Sequence, residues 1–342
     1  MERSIENSMI KRIKIPLYQS QLNRIQESII KGELVYGQDL IELEQRLKEQ
    51  FNFKYALLTS NGTSAIFLTL LAIDLKNKEV VLPAVSSCFA MVNAVKNAGY
   101  KIKFADVDIE SMALAEIDDS DAIVLSPNHF GKIASFNRLG RDYTIEDSCQ
   151  SFLTSKVIKN KTTATILSFY PTKFINGVDG GVILTDDVKI YEEAKSLISY
   201  GTQQTFEERA SFNMRLDNIH ASFALGSMEH LDEISQRLSE IYKEITNTLK
   251  EKDIKFLEMD RYEVPSKLLL RFSDKSERDR VFNFFLEHGI EASLEWMFIA
   301  PEQEKNLYPN AKILIDTTLS LPFHPLLTDE EILKIQEYIR QI

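Results

Sequence analysis

Cysteine is scarce in this 342-residue chain. Only Cys88 and Cys149 occur, at a separation unlike any metal knuckle, which excludes a disulfide framework and a cysteine-rich zinc site; free thiols favour the cytoplasm. Positive charge is short as well. With 40 Lys+Arg against 51 Asp+Glu the net charge is −11, so a general electrostatic hold on nucleic acid is not expected, although a local basic pocket for a phosphorylated ligand is compatible with it. The 12 Gly and 9 Pro are too few for a fibrous or disordered chain. Long hydrophobic runs are missing. The most apolar stretch, Val80 to Gly99, is interrupted by Pro83, Ser86, Ser87, Asn93, Lys96 and Asn97 and reads as a strand followed by a half-buried helix, so no membrane span is expected. The first residues, MERSIENSMIKRIK, lack the apolar core and cleavage site of a secretory signal, and no export is expected.

What is present is an ordinary globular composition, 44% apolar and 27% charged, long enough for two domains at roughly 150 residues each. Short apolar runs alternate with helical patterns. After a helix that places Leu40, Leu43, Leu47 and Phe51 on one face, strands are expected over Tyr55–Thr59, Glu79–Pro83, Lys101–Asp106, Asp121–Ser126, Asp142–Asp147, Ala164–Phe169 and Gly181–Thr185. Helices at Ser64–Asp74 and Ala90–Ala98 make strand–helix–strand units, so the pattern predicts an α/β fold with a mostly parallel sheet covered on both faces. A further helix covers Val188 to Ser199, and one long helix is expected over Asn218–Lys250. Beyond it, strands at Ser266–Phe272, Glu291–Trp296 and Thr317–Leu321 among helices Glu277–His288 and Asp329–Gln341 predict a smaller α+β unit. The expected division is an N-terminal arm and first helix over 1–36, a large α/β domain over 37–230 and a small domain over 231–342.

Ligands of open α/β sheets bind beyond the carboxyl ends of the strands, so residues there come first. The first strand runs into Ser60-Asn61-Gly62-Thr63-Ser64, a small turn opening a helix. Its backbone N–H groups, the helix dipole and two hydroxyls suit a phosphate, and Thr63 or Ser64 could equally be a simple N-cap. The fifth strand ends in Glu146-Asp147-Ser148-Cys149-Gln150-Ser151, where one carboxylate could face a cofactor or merely cap a helix. The sixth ends in Ser168-Phe169-Tyr170-Pro171-Thr172-Lys173, with Gly177, Gly180 and Gly181 following. A lysine in such a bounded loop can be held opposite Asp147, whereas an isolated lysine is usually a solvated side chain.

These blocks together resemble the pyridoxal-phosphate-dependent nucleotide-sugar aminotransferases of the DegT/StrS family, of the fold-type-I aminotransferase class. The match is collinear from Gly37 and Leu40–Phe51 through Asn61-Gly62-Thr63-Ser64-Ala65, Asn128-His129-Phe130-Gly131, the Asp147 and Lys173 blocks and Asn213-Met214-Arg215-Leu216 to Leu321-Pro322-Phe323-His324-Pro325. The resemblance implies a fold-type-I transferase with pyridoxal 5'-phosphate as cofactor and pyridoxamine 5'-phosphate as its intermediate form. It implies that Lys173 is the Schiff-base lysine and proton shuttle, and that Asp147 keeps the pyridine nitrogen protonated. Gly62, Thr63, Ser64 and Ser168 match the phosphate cup, and Gln150 the residue against the ring near its hydroxyl. Asn213 matches an asparagine that reaches the neighbouring subunit's phosphate, which implies a homodimer with shared active sites; it could also be a loop-capping amide. His129 falls in a block near the site and could be a buried structural histidine. One departure stands out: Pro83-Ala84-Val85-Ser86-Ser87-Cys88-Phe89 carries an extra residue where the family places an aromatic over the ring, so either Cys88 or Phe89 could hold that place. Stacking chemistry favours Phe89.

The implied reaction moves an amino group, from glutamate in the usual family member, to a keto group of a nucleotide-linked deoxysugar, in amino-sugar biosynthesis for a surface polysaccharide or secondary metabolite. The implied partners are small molecules and a second copy, with no nucleic acid and no membrane. The alternatives are a sugar dehydratase of the same fold, against which Lys173 argues, and a non-catalytic regulator, which has no need of Lys173, Asp147, Gln150 and the cup residues together.

Overall fold

Hydrophobic alternation of period two followed by period 3.6 folds here into one large sheet clasped by helices. The computed structural model describes residues 9–75, 77–115, 122–133, 143–151, 162–198 and 210–342. Helices α1 (Gln19–Lys31) and α2 (Gln38–Phe51) precede β1 (Tyr55–Thr59) and α3 (Gly62–Ile73). Then come β2 (Glu79–Pro83), β3 (Val85–Ser86), α4 (Ala90–Asn97), β4 (Lys101–Ala105), β5 (Ile123–Pro127), β6 (Thr144–Asp147), β7 (Ala164–Ser168), β8 (Gly181–Thr185) and α5 (Val188–Ile198). The seven-stranded sheet has the order β1-β8-β7-β6-β5-β2-β4. Strand β8 runs antiparallel to both neighbours, and all other pairs are parallel, as the alternation predicted. Strands β5, β7 and β8 are buried at every residue, the consequence of helices on both faces. The expected strand-end residues Asp121 and Asp142 and the helix-end residue Ser199 lie outside the described residues.

The remaining elements are α6 (Asn218–Met228), α7 (Leu231–Glu251), β9 (Lys255–Phe256), β10 (Leu268–Arg271), α8 (Lys275–Glu287), β11 (Met297–Phe298), a 3-10 turn over Glu302–Leu307, α9 (Pro309–Thr317), β12 (Thr318–Leu321) and α10 (Asp329–Ile339). Strands β12-β10-β9 form a small antiparallel sheet. Strand β11 pairs with β3, which stitches this part to the edge of the large sheet's loops.

Two expectations are corrected. The long helix over Asn218–Lys250 is two helices, broken at Glu229 and His230. Helix α6 is buried almost throughout and lies so close to α1 that a Cβ on Gly226 would stand 2.5 Å from the Gln21 Cα; α7 is amphipathic and turns Ile234, Leu238, Ile241, Ile245 and Leu249 to the core. Hydrophobic period runs through the break, but Asp232 and Glu233 in the first turn of α7 mark a new helix start. The second correction is Glu291–Trp296, which is no strand. Glu291 N–H donates to Ile10 O, while Ser293 bridges to Ser320, so the segment crosses between two partners and never forms a ladder with one. Helix α9 opens on Pro309, its one local start signal, and its first turn is capped from afar: Asp106 accepts from Asn310 N–H at 3.0 Å and Ala311 N–H at 2.9 Å. Among the described residues no helix is long and apolar enough to cross a membrane.

Candidate active site

The turn after β1 is built by a cap. Asn61 is extended, and its side chain accepts the Ser64 N–H at 2.8 Å, so Asn61 is the N-cap of α3; Thr63 and Ser64 belong to the helix's first turn. Ser64 Oγ lies 3.0 Å from Ser60 Oγ. A Cβ on Gly181 would come within 2.6 Å of Gly62 N, so glycine at the head of β8 lets that strand press against the turn. Gly62 itself faces the end of β7. A Cβ there would sit 3.1 Å from Ser168 Cβ and 3.3 Å from Cys149 Sγ, which leaves a cradle floored by Ser168 and open to the first-turn N–H groups of α3. The two segments expected to form a phosphate cup, Gly62–Ser64 and Ser168, therefore meet.

The acidic pair at the end of β6 divides its work. Glu146 is buried and consumed by Asn128 Nδ2 at 2.6 Å and Thr165 Oγ1 at 2.9 Å. Asp147, on the opposite face by strand alternation, is half-buried and accepts the Cys149 N–H at 3.1 Å. Lys173 closes the turn after β7 through its N–H to Tyr170 O at 2.8 Å, and the buried Phe174 and Ile175 anchor the loop beyond it. Asp147 and Lys173 act on the same two thiols. Burial raises Cys149 well above the ordinary thiol range, with Asp147 adding to the shift and Lys173 opposing it; burial also raises Cys88, again with Asp147 adding and Lys173 opposing. An anionic and a cationic side chain from two strand ends thus address one space.

Gln150 is held at both ends of its amide, donating from Nε2 to Ser87 Oγ at 2.8 Å and accepting the Phe130 N–H at 3.2 Å. Phe89 is the N-cap residue of α4 and is 48% exposed, and neighbouring Cys88 lies within electrostatic reach of Asp147 and Lys173. His129 is buried against the edge of Trp296, with ring centroids 4.6 Å apart. Burial pushes its imidazole down to about 3, so it stays neutral at ordinary pH. Asn213 is exposed, and its Oδ1 accepts from Arg215 Nη1 at 2.7 Å.

Arg12, Lys267 and Ser320, which carry no functional signal in the sequence, wall the space beyond Lys173. A cavity of about 110 Å³ lies there, lined by Gln150, Lys173, Arg12, Lys267, Ser320 and His324 among others. Behind that wall Glu295 accepts from Arg12 Nη1 at 3.0 Å and Ser320 Oγ at 2.6 Å and pairs with Lys267 Nζ at 2.7 Å. Burial works against the Glu295 carboxylate, yet Lys267, Ser320 and Arg12 outweigh it and hold the group below the usual range. Lys267 is lowered: burial, with Arg12 and Lys173 as neighbouring cations, exceeds the pull of its one carboxylate. No local motif announces this cluster, because Arg12 stands 283 residues from Glu295 in the chain.

Comparison with known proteins agrees with this geometry. The sequence pattern of the DegT/DnrJ/EryC1/StrS aminotransferase family matches residues 17–340. The chain is 25% identical to the UDP-2-acetamido-2-deoxy-3-oxo-D-glucuronate aminotransferase of Pseudomonas aeruginosa, covering 89% of this chain and 90% of the relative. It is 26% identical to the GDP-perosamine synthase of Escherichia coli O157:H7, covering 96% and 98%. Its fold is that of a putative sugar aminotransferase from Streptococcus pneumoniae solved in its PMP form (17% identity, TM-score 0.86, 97% of both chains). It is also that of a Helicobacter pylori aminotransferase involved in the biosynthesis of pseudoaminic acid (18%, 0.85, 97% and 98%).

Proposed function

Because the chain belongs to the DegT/DnrJ/EryC1/StrS aminotransferase family, we propose that it moves an amino group from glutamate to a keto group of a nucleotide-linked deoxysugar, in amino-sugar biosynthesis. The architecture is the fold-type-I class of pyridoxal-phosphate enzymes, as expected. The observation that carries the reading is that Lys173 and Gln150 line one cavity with Cys149, whose N–H Asp147 accepts, beside the Gly62–Ser168 cradle.

The residues fit pyridoxal 5'-phosphate. When bound, the cofactor supplies an aldehyde that carries the amino group and a ring that holds the electron pair freed at the donor α-carbon. Gly62, Thr63, Ser64 and Ser168 hold its phosphate, where the α3 N-terminus favours an anion. Asp147 keeps the ring nitrogen protonated. Lys173 takes the proton from the donor α-carbon and later returns one to the acceptor carbon, work that needs an amine able to lose its proton. Gln150, tied at both ends, and Phe89 are the residues that would pack on the ring.

The functional unit in this reading is a cytoplasmic homodimer with shared sites. A band of apolar side chains stands exposed along α1 and the turn after it, with Leu22 57%, Ile30 75% and Tyr36 68% exposed, and supports a covering partner. Asn213, also exposed, would reach across in exchange for its hydrogen bond from Arg215. The test is direct. Glutamate is expected to bleach the visible band of the cofactor-loaded protein, and a keto-sugar nucleotide to restore it; failure of every sugar nucleotide removes the acceptor class.

A further inference from the structure

The wall beyond Lys173 is strongly one-sided. Arg12, Lys14, Lys173 and Lys267 line the cavity, and among the described residues no Asp or Glu does. Lys14 is answered by Glu331 at 2.8 Å, but Arg12 and Lys267 share the single carboxylate of Glu295. Glu295 is 6% exposed, Lys267 20% and Arg12 33%, so the carboxylate and the ammonium are largely withdrawn from water and the guanidinium stands at the cluster's open edge. A net positive charge in such a place is unfavourable until an anion completes it. Donors remain for that anion: a guanidinium has five N–H groups and an ammonium three, and each cation spends one on Glu295. Since both cations grip the same carboxylate, they are fixed side by side before any ligand arrives.

The size of the cavity selects the ligand. At about 110 Å³ it is several-fold smaller than the roughly 300–1,000 Å³ pockets that enclose drug-sized molecules, so it takes a compact anion and not a nucleotide. We propose that Arg12 and Lys267, braced by Glu295, form the subsite for a carboxylate of the amino donor. The inference rests on the aminotransferase reading above and names where its donor is gripped. Bidentate Arg12 and the adjacent ammonium recognise a delocalised oxyanion, and release of the carboxylate accompanies release of the deaminated product.

Glutarate, which has two carboxylates and no amine to react, reads the subsite without turnover. Calorimetric titration of the cofactor-loaded protein is expected to show saturable glutarate binding, weakened roughly ten- to hundred-fold by Lys267→Met and by Arg12→Met and largely restored by Lys267→Arg. Should Lys267→Met fail to fold, Arg12→Met and Lys267→Arg still decide. Glutarate binding that ignores these substitutions overturns the subsite, and so does inorganic phosphate binding more tightly than glutarate through the same residues, which assigns the wall to a phosphate of the acceptor. Bleaching of the visible band by glutamate is the separate check on the parent reading: a band that glutamate bleaches normally, with substitution-blind glutarate binding, removes the subsite alone.

Discussion

The site has two walls made in different ways. One is the row of strand ends that bears Gly62, Asp147, Ser168 and Lys173, each set by the strand or turn immediately before it. The other joins the N-terminal arm to the small sheet through Arg12, Lys267, Glu295 and Ser320, none of which is positioned by its sequence neighbours alone. The first wall is local geometry repeated along a sheet edge. The second exists only because the arm pairs with the segment after α8, Ile10 against Ile290, and that segment bridges through Ser293 to Ser320 of the small sheet. Chemistry on the first wall should therefore fail by losing reactivity, and changes on the second by losing ligand grip or fold.

The largest effect is expected at the first wall. Lys173→Ala removes the proton-moving amine and should abolish the visible band of the loaded protein and lower transfer by at least about 10³-fold, within the range general acid–base groups supply. Absorbance and turnover measure it, and the thermal transition should hardly move because Lys173 is half-exposed and its turn is held by the backbone. A collapse of stability instead would make Lys173 a structural member and erase the contrast.

Next comes Glu295→Ala on the second wall. Removing the shared carboxylate leaves two cations facing each other, and breaking such a buried pair costs about 3–5 kcal/mol. Denaturant unfolding reads it. The sign with pH follows from the lowered Glu295: its contribution is full above the unfolded carboxylate value, near 4.5, and is lost as pH falls through the lower folded value. Unchanged stability in Glu295→Ala would mean that the second wall is as locally supported as the first.

The third effect is that of His129. Its folded value of about 3 lies below the ordinary value of 6.5, so between these limits the unfolded chain binds a proton that the folded one does not, and stability falls as pH falls. The slope due to this residue is up to about 1.4 kcal/mol per pH unit. It is read as the difference between wild type and His129→Leu in unfolding experiments from pH 7 to pH 4. Equal slopes would show that the imidazole is solvated and free to take part in the site.

How much of this was legible follows the same division. The sheet and the strand-end loops that carry Asp147, Lys173 and the cradle could be read because strand alternation, glycines and turn residues act within a few positions of one another, while the roles of those residues came from the resemblance to the family. Even there, the two carboxylates at 146 and 147 could not be told apart without the face each one takes; Thr165 and Asn128 decide it. The break at His230 was hidden because hydrophobic period continues across it, although Asp232 and Glu233 signalled a start. The cap on α9 and the clasp around Glu295 join residues about 200 to 280 positions apart, and no window along the chain contains both ends.

The smallest effect separates cap from ligand at the first wall itself. Asn61→Ala removes the cap on α3 and should cost about 1 kcal/mol of stability. Asn61→Asp should restore most of that loss, since aspartate caps helices as well as asparagine does. It also sets a carboxylate beside the cradle of Gly62 and Ser168, where it repels a bound phosphate, so affinity for pyridoxal 5'-phosphate is expected to drop roughly ten-fold, and less so at high salt. Denaturant unfolding of the three proteins measures the stability and equilibrium dialysis of the cofactor against them measures the affinity. If Asn61→Asp is stable and binds the cofactor as tightly as wild type, the phosphate does not rest at the start of α3, and the strand-end wall loses its anchor.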